Sequence, residues 1–243
     1  MNVSKLLLEI LCMDQNELKL FLHDFLKKKY KGNDVSFKER YLYVKGSDPY
    51  TLVAHLDTVH KNKCTLSSIF SFTKDNNYCL SSINGIGGDD RCGVGIICEL
   101  VNAGLKPTII FTEDEEKGCL GMQEAIKNSK LLEQVKNSNF IVQFDRKGNN
   151  DAVFYRCNND EFKKFICKKG WEEANGTYSD ISILAPLTNK AAVNLSSAYY
   201  NPHTLKEYIN LDEYKNIIKR SKKLLMSKEA KKSSFNYSNL LKR

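Results

Sequence analysis

The sequence predicts an α/β protein: a three-layer α/β/α sandwich around a mixed, largely parallel central sheet. Three observations predict it. Apolar runs of strand length alternate with stretches of helical periodicity over most of the 243 residues. That alternation implies parallel strands joined by helical crossovers, with helices on both faces. No internal repeat, low-complexity block or Pro/Gly-rich linker divides the chain, so residues 1–243 are expected to form one domain. A hydrophobic content of 42% supports a real core.

The elements follow in order. "SKLLLEILCM" and "DQNELKLFLHDFLKKKY" carry apolar residues at helical spacing, with Asp14 placed to cap the second helix. "DVSFKE" and "YLYVKG" alternate as strands do, and "YTLVAHLDTVH" opens as a buried strand. "SSIFSFTKDNNYCLSS" predicts a hairpin turning at "KDNN". "DDRCGVGIICELVNAG" is a helix closed by Gly104. "KPTIIFT" is a strand, "CLGMQEAIKNS" a helix, "NFIVQFD" a strand, "EFKKFICKKG" a helix and "KAAVNLS" a strand. "LDEYKNIIKRSKKLLMS" is a closing amphipathic helix.

Composition narrows the function. No apolar stretch reaches the roughly 18–20 residues that span a membrane. Acids at Glu9, Asp14 and Glu17 interrupt the first apolar stretch, so a signal peptide is not expected. Eight cysteines without a CxxC pair are read as free thiols, and a cytoplasmic location is expected. The net charge of +8 is uneven: residues 215–243 carry +9 and the remainder −1. Residues 230–243 are expected to form a basic, frayed tail. The sharper alternative, a patch for nucleic acid or another acidic partner, lacks any recognisable nucleic-acid motif.

In such sheets ligands bind at the carboxyl ends of strands. Those ends carry metal-binding side chains: His55 after "TLVA", Asp89 and Asp90 in "NGIGGDDRCG", Glu115 and Glu116 in "TIIFTEDEE", Asp145 in "FIVQFD" and His203 in "YYNPHT". From His55 to Asp89, to Glu116 and to Asp145 the steps are 34, 27 and 29 residues, each about one crossover unit. Imidazoles with carboxylates suit zinc, and also manganese or cobalt. The run "FTEDEEKG" places four like charges together, Glu113 to Glu116, which repel unless cations relieve them. Glu113 and Asp114 are read as solvated, since neighbours on extended chain face opposite ways. His60 is read as part of a solvated loop, and Gly87 and Gly88 as allowing close backbone approach.

Five segments, "HLDTVH", "GGDDRCG", "FTEDEEKG", "FDRKGNND" and "YYNPHT", run in order from residue 55 to 204. Together they resemble the zinc exopeptidases with two co-catalytic metals, the superfamily of peptidase T, glutamate carboxypeptidase and acetylornithine deacetylase. The resemblance implies a phosphorylase/hydrolase-like fold and a pair of divalent ions, zinc by preference. It implies that His55 and Asp145 bind one metal and that His203 and Glu116 bind the other. Asp89, four residues before Gly93, would bridge both, with Asp90 as its rival. Glu115 would be the general base acting on a metal-bridging hydroxide. Asp57 would orient the His55 ring. A cis bond between Asp89 and Asp90 is expected.

Weaker candidates remain. Ser179 and Asp180 in "GTYSDISIL" line the pocket or cap a helix. Tyr199 or Tyr200 donates to a reaction intermediate or packs in the core. Arg146 meets a substrate carboxylate or balances the acids. Of these, Arg146, Asp180 and Tyr200 are assigned to substrate binding. Many relatives carry an inserted lid or dimerisation domain, but here only 58 residues separate Asp145 from His203. A lidless catalytic domain with an open cleft follows, as a monomer or weak homo-oligomer. The expected activity is that of an aminopeptidase on short peptides. The alternatives are a deacylase or carboxypeptidase on N-acyl amino acids, or an inactive binding protein on the same fold.

Overall fold

A computed structural model of the chain describes residues 4–238. Two helices open it, α1 (Lys5–Leu11) and α2 (Gln15–Lys29). Asp14 caps α2 through a reciprocal capping box with Glu17, which satisfies two otherwise orphaned amides. The strands β1 (Val35–Phe37), β2 (Tyr41–Val44) and β3 (Thr51–His55) follow. Next comes the hairpin β4 (Ile69–Lys74) and β5 (Asn77–Ser82). Asp75 and Asn76 at its turn have φ of 49° and 61°, the left-handed pair a two-residue hairpin needs.

The crossover region holds α3 (Gly88–Asn102), β6 (Thr108–Thr112), α4 (Leu120–Ala125), α5 (Ser129–Lys136) and β7 (Ile141–Arg146). After it come β8 (Asp151–Val153), α6 (Asp160–Cys167), β9 (Glu172–Ala174), α7 (Asp180–Thr188) and β10 (Ala192–Ser196). The chain closes with β11 (Tyr199–Tyr200), β12 (Tyr208–Asn210), α8 (Leu211–Leu225) and α9 (Lys228–Lys232).

Eight strands form one sheet in the order β1-β2-β6-β3-β7-β10-β8-β9. Its centre, β6-β3-β7-β10, is parallel throughout. The outer pairs β1-β2, β2-β6 and β10-β8 are antiparallel. Alternation along each central strand separates two apolar layers. Leu52 and Ala54 of β3, Ile109 and Phe111 of β6, and Val142 and Phe144 of β7 face one layer with α1, α2, α3, α6 and α8. Val53, Ile110 and Ile141 face the other with α4, α5 and α7. This is the expected three-layer sandwich.

The hairpin belongs to a second sheet, β11-β12-β5-β4, wholly antiparallel. Its other two strands are too short to leave a periodic trace in the sequence. The expected tail is instead packed over its described part. Ala230 is buried, and Phe235 lies among Phe140, Phe162 and Phe165. Lys190 bridges to Asn236, and Asn158 to Ser238. Backbone hydrogen bonds at Phe235 and Tyr237 hold the segment beside that aromatic cluster. Residues 239–243 of that expected tail lie outside the described residues. Among the described residues no helix is long and apolar enough to cross a membrane. All eight cysteines are free thiols.

Candidate metal centre

The parallel centre of the sheet assembles the site. β3 lies between β6 and β7, with His55 in register with Thr112. His55 therefore ends β3 where β6 releases the run Glu113–Glu116. Asp145 lies near the end of β7, and Asp89 is the second residue of α3. His203 stands between β11 and β12 in left-handed conformation, with φ of 62°.

Five of the expected ligands converge. His55 Nε2 is 3.3 Å from Asp89 Oδ1 and 3.5 Å from Asp145 Oδ1. His203 Nε2 is 3.2 Å from Asp89 Oδ2 and 2.8 Å from Glu116 Oε1. Two triads share Asp89, His55-Asp89-Asp145 and Asp89-Glu116-His203, and a third group, His55-Glu115-Glu116, lies beside them; in each the donor atoms are within 4.8 Å of one another. Asp89 offers one oxygen to each triad, the geometry a bridging carboxylate needs. Its rival Asp90 is turned into the protein, where it accepts from the His55 and Gly93 amides at 3.2 and 3.1 Å. The bond between Asp89 and Asp90 is cis.

Asp57 Oδ1 lies 3.2 Å from His55 Nδ1, so Nε2 is the nitrogen left facing the cluster. Asp57 also accepts from the backbone amides of Glu115 and Glu116, at 3.0 and 3.1 Å. One side chain thus holds an imidazole and the acidic turn together. Asp145 is fixed by Ser179 and Gln143, whose side chains donate to Oδ2 at 2.8 and 3.0 Å.

The donors carry more negative charge than the chain balances. Among the described residues, no lysine or arginine lies within ion-pair distance of Asp89, Glu115, Glu116 or Asp145. Burial pushes the Glu115 carboxyl up to about 8, and Asp145, Asp180 and Glu116 add to the rise. Burial raises Glu116 as well, reinforced by Asp89. Burial works against ionisation of Asp89, yet the His203 and His55 rings hold its carboxyl well below the usual range. The bond to Asp89 lifts His203 to about 9. Burial disfavours protonated His55, but Asp145, Asp57 and Asp89 outweigh it and push the ring upward. Two imidazoles and three carboxylates, undercharged on the positive side and partly desolvated, fit a pair of divalent cations.

Other expectations need correction. Glu113 and Asp114 are buried, at 4% and 7% exposure, rather than solvated. Lys19 pairs with Glu113 at 2.8 Å, while Arg40 and Lys117 pair with Asp114. The sequence hid these cations because two of them lie more than 70 residues away. Asp180 is fully buried and takes a hydrogen bond from the Thr112 hydroxyl, so it stands behind the cleft and does not line it. Ser179 holds the N-cap position of α7, with its hydroxyl turned to Asp145. Tyr200 donates to Glu213 at 2.5 Å and stacks on Tyr208, away from the cluster. Its neighbour Tyr199 faces the opposite way and brings its hydroxyl within 3.5 Å of Asp145 Oδ1. Arg146 does reach the cleft, with its Nε donating to Asp151 at 3.0 Å. His60 is not solvated: its Nε2 is 2.7 Å from Glu207 Oε2, and its side chain is only 7% exposed.

The cleft over the centre measures about 440 Å³. Beyond the expected ligands, Tyr155, Tyr178, Val153 and Lys147 line it. The sequence analysis singled out none of these four, although Lys147 and Tyr178 lie within the quoted segments "FDRKGNND" and "GTYSDISIL".

No protein-family model matches the chain, and no curated protein sequence does. Solved structures do match. Aminopeptidase PepT from Bacillus cereus ATCC 10987 is 13% identical, with a TM-score of 0.68 over 92% of this chain and 98% of that one. A tripeptidase from Staphylococcus aureus Mu50 is 15% identical, with the same TM-score and the same coverage of both chains. An aminopeptidase from the archaeon Desulfurococcus kamchatkensis is 13% identical, with a TM-score of 0.62 over 90% of this chain and 92% of that one. At such identities the likeness is one of fold: the chain adopts the fold of these aminopeptidases.

Proposed function

We propose that this chain is a metal-dependent exopeptidase, an aminopeptidase that acts on short peptides. One observation carries the reading. His55, Asp89, Glu116, Asp145 and His203 converge from five separate segments, and Asp89 offers an oxygen to each of two triads. The fold, shared with aminopeptidases and a tripeptidase, supports it. When bound there, two divalent cations, zinc by the chemistry of the donors, supply Lewis acidity toward a carbonyl and toward water.

The remaining roles fall to the chain itself. Glu115 stands beside both triads with no lysine or arginine partner among the described residues, placed to take a proton from attacking water and return it to the leaving nitrogen. Asp57 keeps the His55 ring and the Glu115 backbone in one frame. The surplus of carboxylates at the centre favours a free α-amino group at the end of the cleft. The half-open cleft admits a peptide end without a lid.

Arg146 and Lys147, in the same cleft, favour a second reading, a deacylase or carboxypeptidase that grips the carboxylate of an N-acyl amino acid. The test is a screen of zinc-loaded protein against tripeptides and N-acyl amino acids. Release of the free N-terminal residue supports the aminopeptidase. Release of an acyl group or a C-terminal residue transfers the assignment to the second reading. No turnover of either class, with two metals bound, defeats both.

A further inference from the structure

We propose that Glu207, with His60, is a positioning residue that aims Asp89 into the metal centre. This rests on the reading of His55, Asp89, Glu116, Asp145 and His203 as a metal site.

The need for such a residue lies in α3. Asp89 and Asp90 depart from helical φ/ψ at its start, and amides at a helix N-terminus require acceptors. The N-cap is Gly87, left-handed with φ of 64°, and it has no side chain to accept them. A carboxylate from a distant segment does so instead. Glu207 Oε1 accepts from the Asp89 amide at 2.9 Å, and Oε2 accepts from the Gly87 amide at 3.0 Å. His60 Nε2 lies 2.7 Å from the same Oε2. Glu207 is fully buried, so these three contacts replace its hydration.

The surroundings are shaped around the pair. A Cβ on Gly88 would lie 2.7 Å from Tyr199 Cβ and 3.3 Å from Glu207 Oε1. A Cβ on Gly85 would lie 2.2 Å from the His60 ring. The Ser81 hydroxyl donates to the Glu207 carbonyl at 2.6 Å, which ties the residue to β5. Glu207 stands four residues after His203, and His60 five after His55. The contact therefore locks the two imidazole-bearing segments onto the backbone of the aspartate between them. The second sheet gains a purpose: β5 and β12 hold Glu207 against the start of α3.

Neither side chain lies within ion-pair distance of the cluster's carboxylates, so their effect must pass through the position of Asp89. Glu207→Gln keeps one acceptor and sets an N–H against the Gly87 amide or the His60 ring. His60→Ala leaves the carboxylate one donor short. His60→Gln keeps a donor near the place of Nε2.

The full chain, stripped of metal, is titrated with Co²⁺ and followed by its visible spectrum, with thermal unfolding of the metal-free protein measured alongside. Wild type is expected to take up two equivalents. Glu207→Gln is expected to weaken Co²⁺ binding by about 10–100-fold, as partners behind metal ligands do, and to alter the visible bands. Turnover of a cleaved tripeptide should lose kcat more than KM. His60→Ala should move in the same direction by less, and His60→Gln should recover most of that loss.

Variants that lower thermal stability but bind Co²⁺ with wild-type affinity and spectrum would overturn the proposal, leaving the pair a merely structural one. Should Glu207→Gln fail to fold, the two His60 variants decide alone, by the same criteria. Wild-type protein that binds no Co²⁺ would overturn the metal-site reading, and this inference with it.

Discussion

Glu113 and Asp114 differ from Glu115 and Glu116 in everything but sequence position. The first two are the more deeply buried, yet each has a basic partner from the chain: Lys19 for Glu113, and Arg40 and Lys117 for Asp114. The second two stand at the mouth of the cleft. Among the described residues their cationic neighbours are imidazoles, His203 for Glu116 and, for both, the more distant His55. Four identical charges in a row are thus divided by who neutralises them. The protein supplies its own cations where the carboxylates are structural. Among the described residues it supplies no lysine or arginine to Glu115 and Glu116, the pair that the proposed metal site would neutralise. An acidic cluster by itself says little about function; the absence of a lysine or arginine beside part of it says much more.

Glu115→Gln tests the open half most severely. It should cut kcat by about 10²–10⁴-fold, the usual worth of a general base, while both metal equivalents stay bound. Steady-state kinetics beside metal analysis will check this, and full activity would remove Glu115 from the mechanism.

Lys19→Met tests the closed half. Stranding Glu113 without its partner should cost about 3–5 kcal/mol in urea unfolding, with metal stoichiometry unchanged. The double variant Lys19→Met/Glu113→Leu should recover most of that loss. Lost metal in Lys19→Met would show that the two halves are not separate.

Chelation comes next. With zinc at 100 times its dissociation constant, bound metal adds about 2.7 kcal/mol to stability. A chelator should then lower Tm by roughly 5–10 °C in a chain of this size. An unchanged Tm would mean that the open half needs no cation.

The smallest effect is on pH. In the metal-free protein Asp89 holds His203 protonated up to about 9, and an incoming metal must displace that proton. Loss of that one proton should therefore contribute about tenfold in affinity per pH unit below 9 and nothing above it. The folded-state value is raised, so the stability that the protonated ring lends the metal-free protein is present at low pH. It fades as pH passes through about 9. Calorimetry in buffers of different ionisation enthalpy will count the released proton.

Much of the site was legible because strands in a parallel sheet end together. His55, Glu116 and Asp145 each follow an apolar run, and with Asp89 between the first two the steps are each about one crossover long. The cis bond at Asp89 was expected through resemblance alone. Glu207 and the distant partners Lys19 and Arg40 were not legible. Glu207 lies 118 residues from the Asp89 amide it holds, and Lys19 lies 94 from Glu113. The choice of Tyr200 over Tyr199 failed because two adjacent strand residues face opposite ways and only the neighbouring elements say which way is inward. The expected tail failed because the burial of Phe235 depends on a cavity built by β7 and α6.

By itself, then, the amino-acid sequence determined the layers, the largely parallel character of the sheet and the chemical types gathered at its carboxyl edge. Periodicity and apolar content are local properties, and they survive without knowledge of neighbours. The tertiary structure alone decided which acids are neutralised, which tyrosine turns inward, and what holds Asp89 in place. Charge balance and burial are set by groups brought together from far along the chain, and no local pattern records them.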